Sequence, residues 1–350
     1  MLPKDPGKRP ADLSQPIKEV SARIYPEIAG QRLDQALAEL FDWRSRTSVQ
    51  RLIKEGRVRV RLGGQAPGSK KGELVSNPRA ARKVFAEDVV IVEIPPRALI
   101  DKIDVELLPD ELEILWEDPW LLAVDKLAGL AVHPTSSRLS GTLINLLHGL
   151  YRDVGNPEKD VVPRLCHRLD RETSGLILVA KDAQAHSEVR KQFEGQSVQK
   201  SYLALVEGHP GKEEIWIDAP IGPARRSAVR LKMGVREDGL QSLTRVLLRE
   251  RGKEVSLVEC FPRTGRQHQI RVHLASIGFP VVGDKLYGGD EQLFLRGIDG
   301  SLTSDDLERL RLPRQALHSH TLTLEHPVTR EALELRCPLP EDMARLLRGT

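Results

Sequence analysis

The chain has 350 residues, of which 40% are hydrophobic and 4% aromatic, and its formal net charge is +3. This length allows two or three domains, and the scarcity of aromatic rings argues against broad stacking platforms for single-stranded nucleic acid. Cys166, Cys260 and Cys337 lie far apart without a CxxC pair, so we expect no metal site and no disulfide framework. This cysteine usage is typical of a protein in the reducing cytoplasm. No apolar run approaches the length of a membrane span.

The N-terminal part changes character near residue 31. Residues 1–28 are rich in proline and charge and lack an apolar signal core, which predicts a disordered segment. From residue 31 onward, leucine and alanine recur at helical spacing. Ser45 to Glu55 is predicted to be a second helix, ended by Gly56. Valine and arginine then alternate as in a half-buried strand.

Basic charge is concentrated between Arg44 and Arg61. Seven cations and one carboxylate give this stretch a net charge of +6, twice the excess of the whole chain. Such a cluster is typical of a surface that binds the phosphate backbone, although a solvated basic helix face is the alternative. The candidate RNA-binding residues are Arg44, Arg46, Arg51, Lys54, Arg57 and Arg59.

This region resembles the RNA-binding domain named after small-subunit ribosomal protein S-four. The resemblance rests on Arg32-Leu-Asp, on Ser45 to Gly56 and on Asp88 to Glu93, and it implies a small α/β RNA-binding module at residues 29–95. The family usually has a short turn after the basic strand. This chain instead has a longer segment at residues 63–81, with Gly, Lys and Pro, which we expect to be a mobile basic loop.

A linker at Pro95-Pro96 precedes the second part of the chain. Apolar periodicity predicts a series of further elements there. In chain order they are two strands within Ile114–Lys126 around a turn at Asp118-Pro119, a helix at Gly141–Tyr151 with Leu143, Leu146, Leu147 and Leu150 inward, a helix at Ala183–Glu194 and a strand at Lys200–Glu207.

A charged turn leads directly into an apolar strand between residues 163 and 181. The apolar run Leu176–Ala180 predicts a buried strand. Charged groups held at the edge of a core suggest an active site, although a surface ion-pair turn is the alternative. Neighbouring arginines would lower the pKa of Asp170 and keep it ionised as a nucleophile or base. The charged or ionisable residues are His167, Arg168, Asp170, Arg171 and Glu172.

The sequence His167-Arg168-Leu169-Asp170, followed by Thr173-Ser174-Gly175-Leu176, resembles the central motif of the RluA-type RNA pseudouridine synthases. The aspartate of that motif is the family's catalytic residue, which implies the same role for Asp170. The resemblance also makes His167 and Arg168 candidates for substrate binding. Arg168 is placed to fill the gap that a flipped uridine leaves, or to hold a phosphate.

A second cluster, Arg263–His273, carries three arginines and two histidines at a predicted helix start, where anions bind well. Its two histidines are five residues apart and lie off one helix face, which argues against a metal site. The resemblance implies that Arg271 pairs with the catalytic aspartate and that Arg266 and His268 contact the substrate.

The resemblance also implies that Tyr202 faces Asp170. When uracil has been rejoined to ribose through carbon 5, that carbon must lose its hydrogen as a proton. We expect Tyr202 to accept this proton, with its pKa lowered by a nearby arginine.

Together the resemblances imply an α+β protein whose catalytic domain, residues 96–350, is built on a mixed, largely antiparallel sheet. It would convert uridine in structured RNA into pseudouridine. We expect this RNA to be ribosomal RNA in the first place, with transfer RNA as the other candidate. We expect no cofactor, because the sequence has no Walker loop or dinucleotide fingerprint. We also expect the protein to be cytoplasmic and monomeric. The alternatives are a non-catalytic RNA-binding or ribosome-assembly protein, and a hydrolytic glycosidase that pairs Asp170 with Glu172.

Overall fold

The structure is a computed structural model that describes residues 19–40, 46–93, 111–134, 141–153, 155–156 and 158–349. These residues divide into two units, and each is described by itself. The N-terminal unit contains residues 19–93, and the larger unit contains residues 111–133 and 141–349.

The N-terminal unit is a four-stranded antiparallel sheet with helices packed against it. Its elements are β1 (Glu19–Arg23), a 3₁₀ helix (Pro26–Ile28), α1 (Leu33–Leu40), α2 (Arg46–Lys54), β2 (Val58–Arg61), β3 (Leu74–Val75) and β4 (Val89–Glu93), and the strand order is β1-β4-β2-β3. Alternate valines of β2 and β4, including Val58, Val60 and Val90, pack on Leu33 and Leu37 of α1. The predicted helices and strands of this module are therefore present.

Two predictions for this unit need correction. The disordered segment was predicted to reach residue 28, but β1 pairs with β4 from Glu19 opposite Glu93 to Arg23 opposite Val89. That prediction was wrong for residues 19–28, and residues 1–18 lie outside the described residues. The segment 63–81 was expected to be mobile. The structure gives it a defined path, because β3 within it pairs with β2.

The larger unit is built on a ten-stranded sheet. Its strands are β5 (Ile114–Glu117), β6 (Leu121–Lys126), β7 (Arg164–Leu165), β8 (Ser174–Ala180), β9 (Gln199–Glu207), β10 (Glu214–Asp218), β13 (Leu243–Arg251), β14 (Val255–Pro262), β15 (Leu317–Glu325) and β16 (Ala332–Arg336). A separate hairpin contains β11 (Ile221–Pro223) and β12 (Met233–Val235). The helices are α3 (Leu143–Tyr151), α4 (Ala183–Glu194), α5 (Gln269–Ser276), α6 (Gln292–Asp299), α7 (Ser304–Leu310) and α8 (Glu341–Arg348).

The main path of the large sheet runs β10-β13-β14-β9-β15-β8-β6-β5, with β16 beside β15 and β7 beside β8. Its paired strands are antiparallel except for β8 and β15, which are parallel. The sheet is thus mixed and largely antiparallel, as predicted. None of the described helices is long and apolar enough to cross a bilayer.

The parallel pair depends on a glycine. Gly175 has φ +104°, and a Cβ built there would lie 2.3 Å from the carbonyl oxygen of Ser319 on β15. Only glycine combines this backbone conformation with so close an approach. Beside it, the hydroxyl of Ser174 lies 2.9 Å from Nδ1 of His318. These contacts fix the turn that precedes β8.

Helices cover both faces of β8, which is buried at every position. Ile177 and Val179 pack with Leu143 and Leu147 of α3, while Leu176 and Leu178 pack on the α4 side. The helix predicted at Gly141–Tyr151 is confirmed, but Leu150 near its end is exposed rather than inward.

Candidate active site

The charged turn before β8 presents Asp170 at the edge of the core. Leu169 is buried in the cluster that includes α3, and the backbone N–H of Thr173 donates to the Asp170 carbonyl at 3.1 Å. The Asp170 side chain is 32% exposed. The turn therefore anchors the chain through Leu169 and leaves the neighbouring carboxylate accessible.

Arg271, on α5, holds this carboxylate. Its Nη1 donates to Oδ2 of Asp170 at 2.9 Å, across 101 residues of sequence. Its Nε and Nη2 donate to the two oxygens of Asp284 at 2.6 and 2.9 Å. Asp284 is fully buried and also accepts from the backbone N–H groups of Leu286 and Tyr287. One edge of the guanidinium is thus fixed by Asp284, which aims Nη1 at Asp170.

Arg271 sets the pKa of the buried Asp284 carboxyl group. Burial alone would raise the pKa of Asp284, but the charge and hydrogen bonds of Arg271 lower it. Asp284 is therefore an anion that keeps Arg271 in place. No role was given to Asp284 from the sequence, although the stretch from Gly283 to Gly288 follows the pattern of the family that the sequence resembles.

Lys126, at the end of β6, is a second buried cation near Asp170. Its Nζ donates to the carbonyl oxygens of Leu127, Leu130 and Arg171 at 2.8, 3.0 and 3.0 Å. Burial lowers its pKa to about 7, and the charge of Asp170 acts in the opposite direction. These hydrogen bonds connect the turn after β6 to the Asp170 turn, so Lys126 stabilises the backbone around the site.

Tyr202, on β9, lies beside Asp170 as the resemblance implied. Burial raises the pKa of its phenol to about 12, the charge of Asp170 raises it too, and a hydrogen bond with the Ser319 side chain acts against both. The expected lowering by an arginine was therefore wrong. The carboxylate, not a guanidinium, is the main charge that the phenol experiences, and the phenol is neutral at neutral pH.

His268 lies at the edge of the same cluster, immediately before α5. Its Nε2 is 3.9 Å from Oδ2 of Asp170, and its Nδ1 is 2.8 Å from Oη of Tyr287. Burial, followed by the charge of Arg271, lowers its pKa. Arg266 differs, since it is exposed and its Nε donates to the Gln241 carbonyl at 3.3 Å.

The two residues before Leu169 point in different directions. His167 accepts a hydrogen bond from the backbone N–H of Leu178 at 3.0 Å and stacks on Phe193 of α4, and burial lowers its pKa to about 3. These contacts give its imidazole a structural task and do not favour the predicted contact with substrate. Arg168 is exposed, and its charge contributes to lowering the pKa of both His133 and His268, after burial.

Glu172 forms its hydrogen bonds with groups other than Asp170. Its Oε1 accepts from Nζ of buried Lys285 at 2.8 Å, and its Oε2 accepts from the backbone N–H of Gln315 at 3.3 Å. A glycosidase would need both carboxylates to face one sugar ring. The pairing with Lys285 therefore argues against the hydrolytic alternative.

Comparisons with known proteins point to one family. The RNA pseudouridylate synthase family profile matches residues 121–276. An RNA pseudouridine synthase of Bacillus subtilis is 37% identical over 95% of this chain and 98% of its own length. Ribosomal large subunit pseudouridine synthase D of Xanthomonas campestris is 39% identical over 93% of this chain and 91% of its own length. The chain belongs to the RluA family of RNA pseudouridine synthases.

The synthase is accordingly an isomerase that acts on uridine in RNA, and the expectation of a non-catalytic RNA-binding protein is set aside. Among solved structures, it aligns with human RNA pseudouridylate synthase domain containing 1 over 70% of this chain and 86% of that one. Their sequence identity is 27% and the TM-score is 0.49.

The basic residues predicted to bind RNA in the N-terminal unit of the synthase fall into two groups. Arg57 pairs with Glu55 and Glu93 at 3.3 and 3.2 Å, and Arg59 pairs with Glu19. These two cations are already matched with carboxylates. Their role in binding RNA stays a prediction.

The other members of the predicted set lie on or before α2. Arg51 is exposed, with Nε 4.0 Å from Oε1 of Glu55, and Lys54 is exposed without an ion pair to any described residue. Arg44 lies outside the described residues. Arg46 begins α2, and its side chain is outside the description.

Proposed function

We propose that the synthase modifies uridine in large-subunit ribosomal RNA and that Asp170 begins the reaction. The observation that carries the second part is the accessible Asp170 carboxylate held by the buried guanidinium of Arg271. The names of the relatives support the first part, because several are large-subunit pseudouridine synthases. A carboxylate that is accessible and oriented by a fixed cation can act as a nucleophile or base.

The reaction breaks one bond and forms another. The target uridine leaves its stack and enters the site, where the bond between ribose carbon 1′ and uracil N1 is cleaved with the help of Asp170. The uracil turns and is rejoined to carbon 1′ through its carbon 5. Carbon 5 then loses its hydrogen as a proton, and N1 gains a proton, so the product is an isomer of the substrate.

Arg271 acts by orienting Asp170. Because Asp284 holds the other edge of the guanidinium, Nη1 cannot turn away from the carboxylate while both ion pairs persist. Preorganised charge of this kind avoids the cost of reorganisation during the reaction.

Tyr202 is the group that we propose to take the proton from carbon 5. With a pKa of about 12 it is a neutral phenol, so as it takes this proton it gives up its own, which passes to uracil N1, while the hydrogen bond with the Ser319 side chain orients the hydroxyl. Its ring also provides a face on which uracil can stack.

The exposed cations at the site are proposed to hold the RNA strand. Arg168 and Arg266 present guanidinium groups suited to phosphate, and His268 faces Asp170 as a neutral imidazole. The structure gives less support to substrate binding by His167.

The test of this proposal is Asp170→Asn, which keeps the shape of the side chain and removes its charge. We expect no pseudouridine formation in a large-subunit RNA fragment, with the Kd for RNA changed by no more than a few-fold. Glu341→Gln, an exposed carboxylate on α8, is the matched control and should have wild-type activity. Turnover by Asp170→Asn would contradict its role.

The RNA substrate is tested separately, by mapping pseudouridine in the RNA of a deletion strain and its parent. We expect sites to disappear from large-subunit ribosomal RNA. Loss from transfer RNA alone would contradict the proposed substrate and leave the role of Asp170 intact.

A further inference from the structure

Tyr287 connects the Asp170 site to the separate hairpin of β11 and β12. Its Oη accepts from the backbone N–H of Met233 on β12 at 2.9 Å and lies 2.8 Å from Nδ1 of His268. The centroid of its ring is 4.9 Å from Cζ of Arg271. One side chain therefore touches the hairpin and two of the residues around the Asp170 carboxylate, His268 and Arg271.

The segment that carries Tyr287 also forms hydrogen bonds with the loop of the hairpin. The carboxylate of Glu291 accepts from the Ser227 hydroxyl at 2.8 Å, from the Ala228 backbone N–H at 3.1 Å and from Nζ of Lys232 at 2.9 Å. Asp284, in the same segment, holds Arg271. Residues 284–291, here called the linking segment, thus contact the hairpin and the site.

The loop of the hairpin presents a surface suited to RNA. Arg226 and Arg230 are exposed, and neither has an ion pair with a described residue, whereas Arg225 pairs with Asp238 at 3.0 Å. Leu231, between two cations, is 58% exposed. Unpaired guanidinium groups next to an exposed apolar side chain match the phosphates and base faces of an RNA strand.

We propose that Tyr287 is a positioning residue that couples RNA contacts on the β11–β12 hairpin to the Arg271–Asp170 pair. The proposal rests on the proposed function of Asp170. A shift of β12 moves the Met233 N–H and therefore the phenol. The phenol in turn orients His268 through a hydrogen bond, and its ring face attracts the guanidinium of Arg271. Docking on the hairpin thereby sets the geometry of the groups around Asp170.

The first test is Tyr287→Phe, which keeps the ring against Arg271 and removes the contacts with Met233 and His268. We expect kcat to fall by about 10- to 100-fold, as the loss of two hydrogen bonds predicts, with the Kd for RNA within about twofold. Tyr25→Phe, an exposed tyrosine of the N-terminal unit, is the matched control. Wild-type kcat in Tyr287→Phe would overturn the coupling.

The second test is a double-mutant cycle with the hairpin. Arg226→Ala combined with Arg230→Ala should raise KM and also lower kcat in the wild-type background. In the Tyr287→Phe background it should raise KM only, since the coupling is already broken. Arg345→Ala with Arg348→Ala on α8 controls for lost charge. Equal effects on kcat in both backgrounds would contradict the proposal.

Two further measurements separate this proposal from its alternatives. Glu291→Gln frees the hairpin loop without touching Arg271 or His268, and we expect it to lower kcat by a few-fold while the melting temperature of the protein stays close to wild type. An unchanged kcat would count against coupling through the linking segment. If the wild-type protein forms no pseudouridine in the same RNA, the proposed function fails instead.

Discussion

The Asp170 site and the N-terminal unit hold their cations in opposite ways. In the larger unit the side chains of Arg271 and Lys285 are 8% and 4% exposed, and each contacts specific acceptors. In the N-terminal unit the side chains of Arg23 and Arg51 are 68% and 70% exposed, and their ion pairs are solvated. The same charge therefore performs two tasks. A buried cation fixes the position of one carboxylate, while exposed cations are arranged as the predicted binding of RNA requires, where attraction adds up over many phosphates.

This contrast has a clear energetic consequence. Removing one partner of a buried ion pair costs about 3–5 kcal/mol, because the other charge is left uncompensated. An exposed pair contributes about 0–1 kcal/mol. Variants of the Asp170 site should therefore change catalysis or folding strongly, and variants of the N-terminal unit should change salt-dependent affinity.

Arg271→Met should have the largest effect. It leaves Asp170 without an orienting cation and Asp284 as a buried, unpaired anion, so we expect nearly complete loss of activity and a lower melting temperature. Arg271→Lys should recover only part of the activity, because lysine lacks the planar fork that contacts both carboxylates. Pseudouridine formation and thermal unfolding of each variant measure the two effects.

Arg266→Met is the control for this substitution, since Arg266 is in the same motif but exposed. We expect weaker RNA binding with most of the kcat retained. If Arg266→Met were inactive and Arg271→Met active, the roles within the motif would have to be exchanged.

Gly175→Ala should disrupt the site by destabilising the fold, without changing the charges of the site. The new methyl group would meet the Ser319 carbonyl on β15, at a backbone conformation that alanine tolerates poorly. We expect a loss of stability of about 1–3 kcal/mol, the cost of a strained position, seen in denaturant unfolding. Gly211→Ala, where an added Cβ has no neighbour within 4 Å, should be close to neutral and serves as the control.

Much of this architecture was predictable because its signals are local. The apolar run after Asp170 predicted β8, and helical spacing predicted α4 with the bounds that the structure shows. The helix that carries Arg271 was likewise expected to follow the turn before it. A long and specific motif led to Asp170, and the family that it indicated is confirmed.

The unpredicted features depend on contacts between distant parts of the chain. Nothing in the local sequence of Asp284 indicates that it binds Arg271, and nothing near Tyr287 indicates its contact with Met233. The pKa of Tyr202 was predicted in the wrong direction, because burial and the nearby Asp170 outweigh any arginine. The strand β1 was missed, since its pairing with β4 outweighs its charged composition.

Tyr202→Phe should slow a late step while RNA binding and cleavage of the glycosidic bond persist. The ring remains for stacking, but the hydroxyl that we propose to relay the carbon 5 proton is lost. Release of tritium from carbon 5 of labelled RNA reports this step directly. Wild-type release from the variant would leave Tyr202 as a packing residue.

The pH dependence of the wild-type protein sharpens this prediction. If the phenolate were the base, its fraction would rise tenfold per pH unit up to its pKa of about 12. A neutral phenol that relays the proton shows no such rise. We therefore expect tritium release to be nearly constant between about pH 8 and 10, a range above the pKa of about 7 for Lys126. A tenfold increase per unit would contradict the relay.

The smallest effects should come from the N-terminal unit, where two neighbouring cations can be compared. Lys54 has no ion pair with a described residue, whereas Arg57 is matched by Glu55 and Glu93. Lys54→Gln should reduce the slope of log Kd against log salt by roughly 0.7–0.9, the value for one lost phosphate contact, with kcat at saturating RNA unchanged. Arg57→Gln should reduce it less, because its charge is already neutralised within the protein. Equal slopes for the two variants would show that RNA displaces the glutamates from Arg57. A changed kcat would show that the N-terminal unit, like the larger one, acts on the geometry of the reaction.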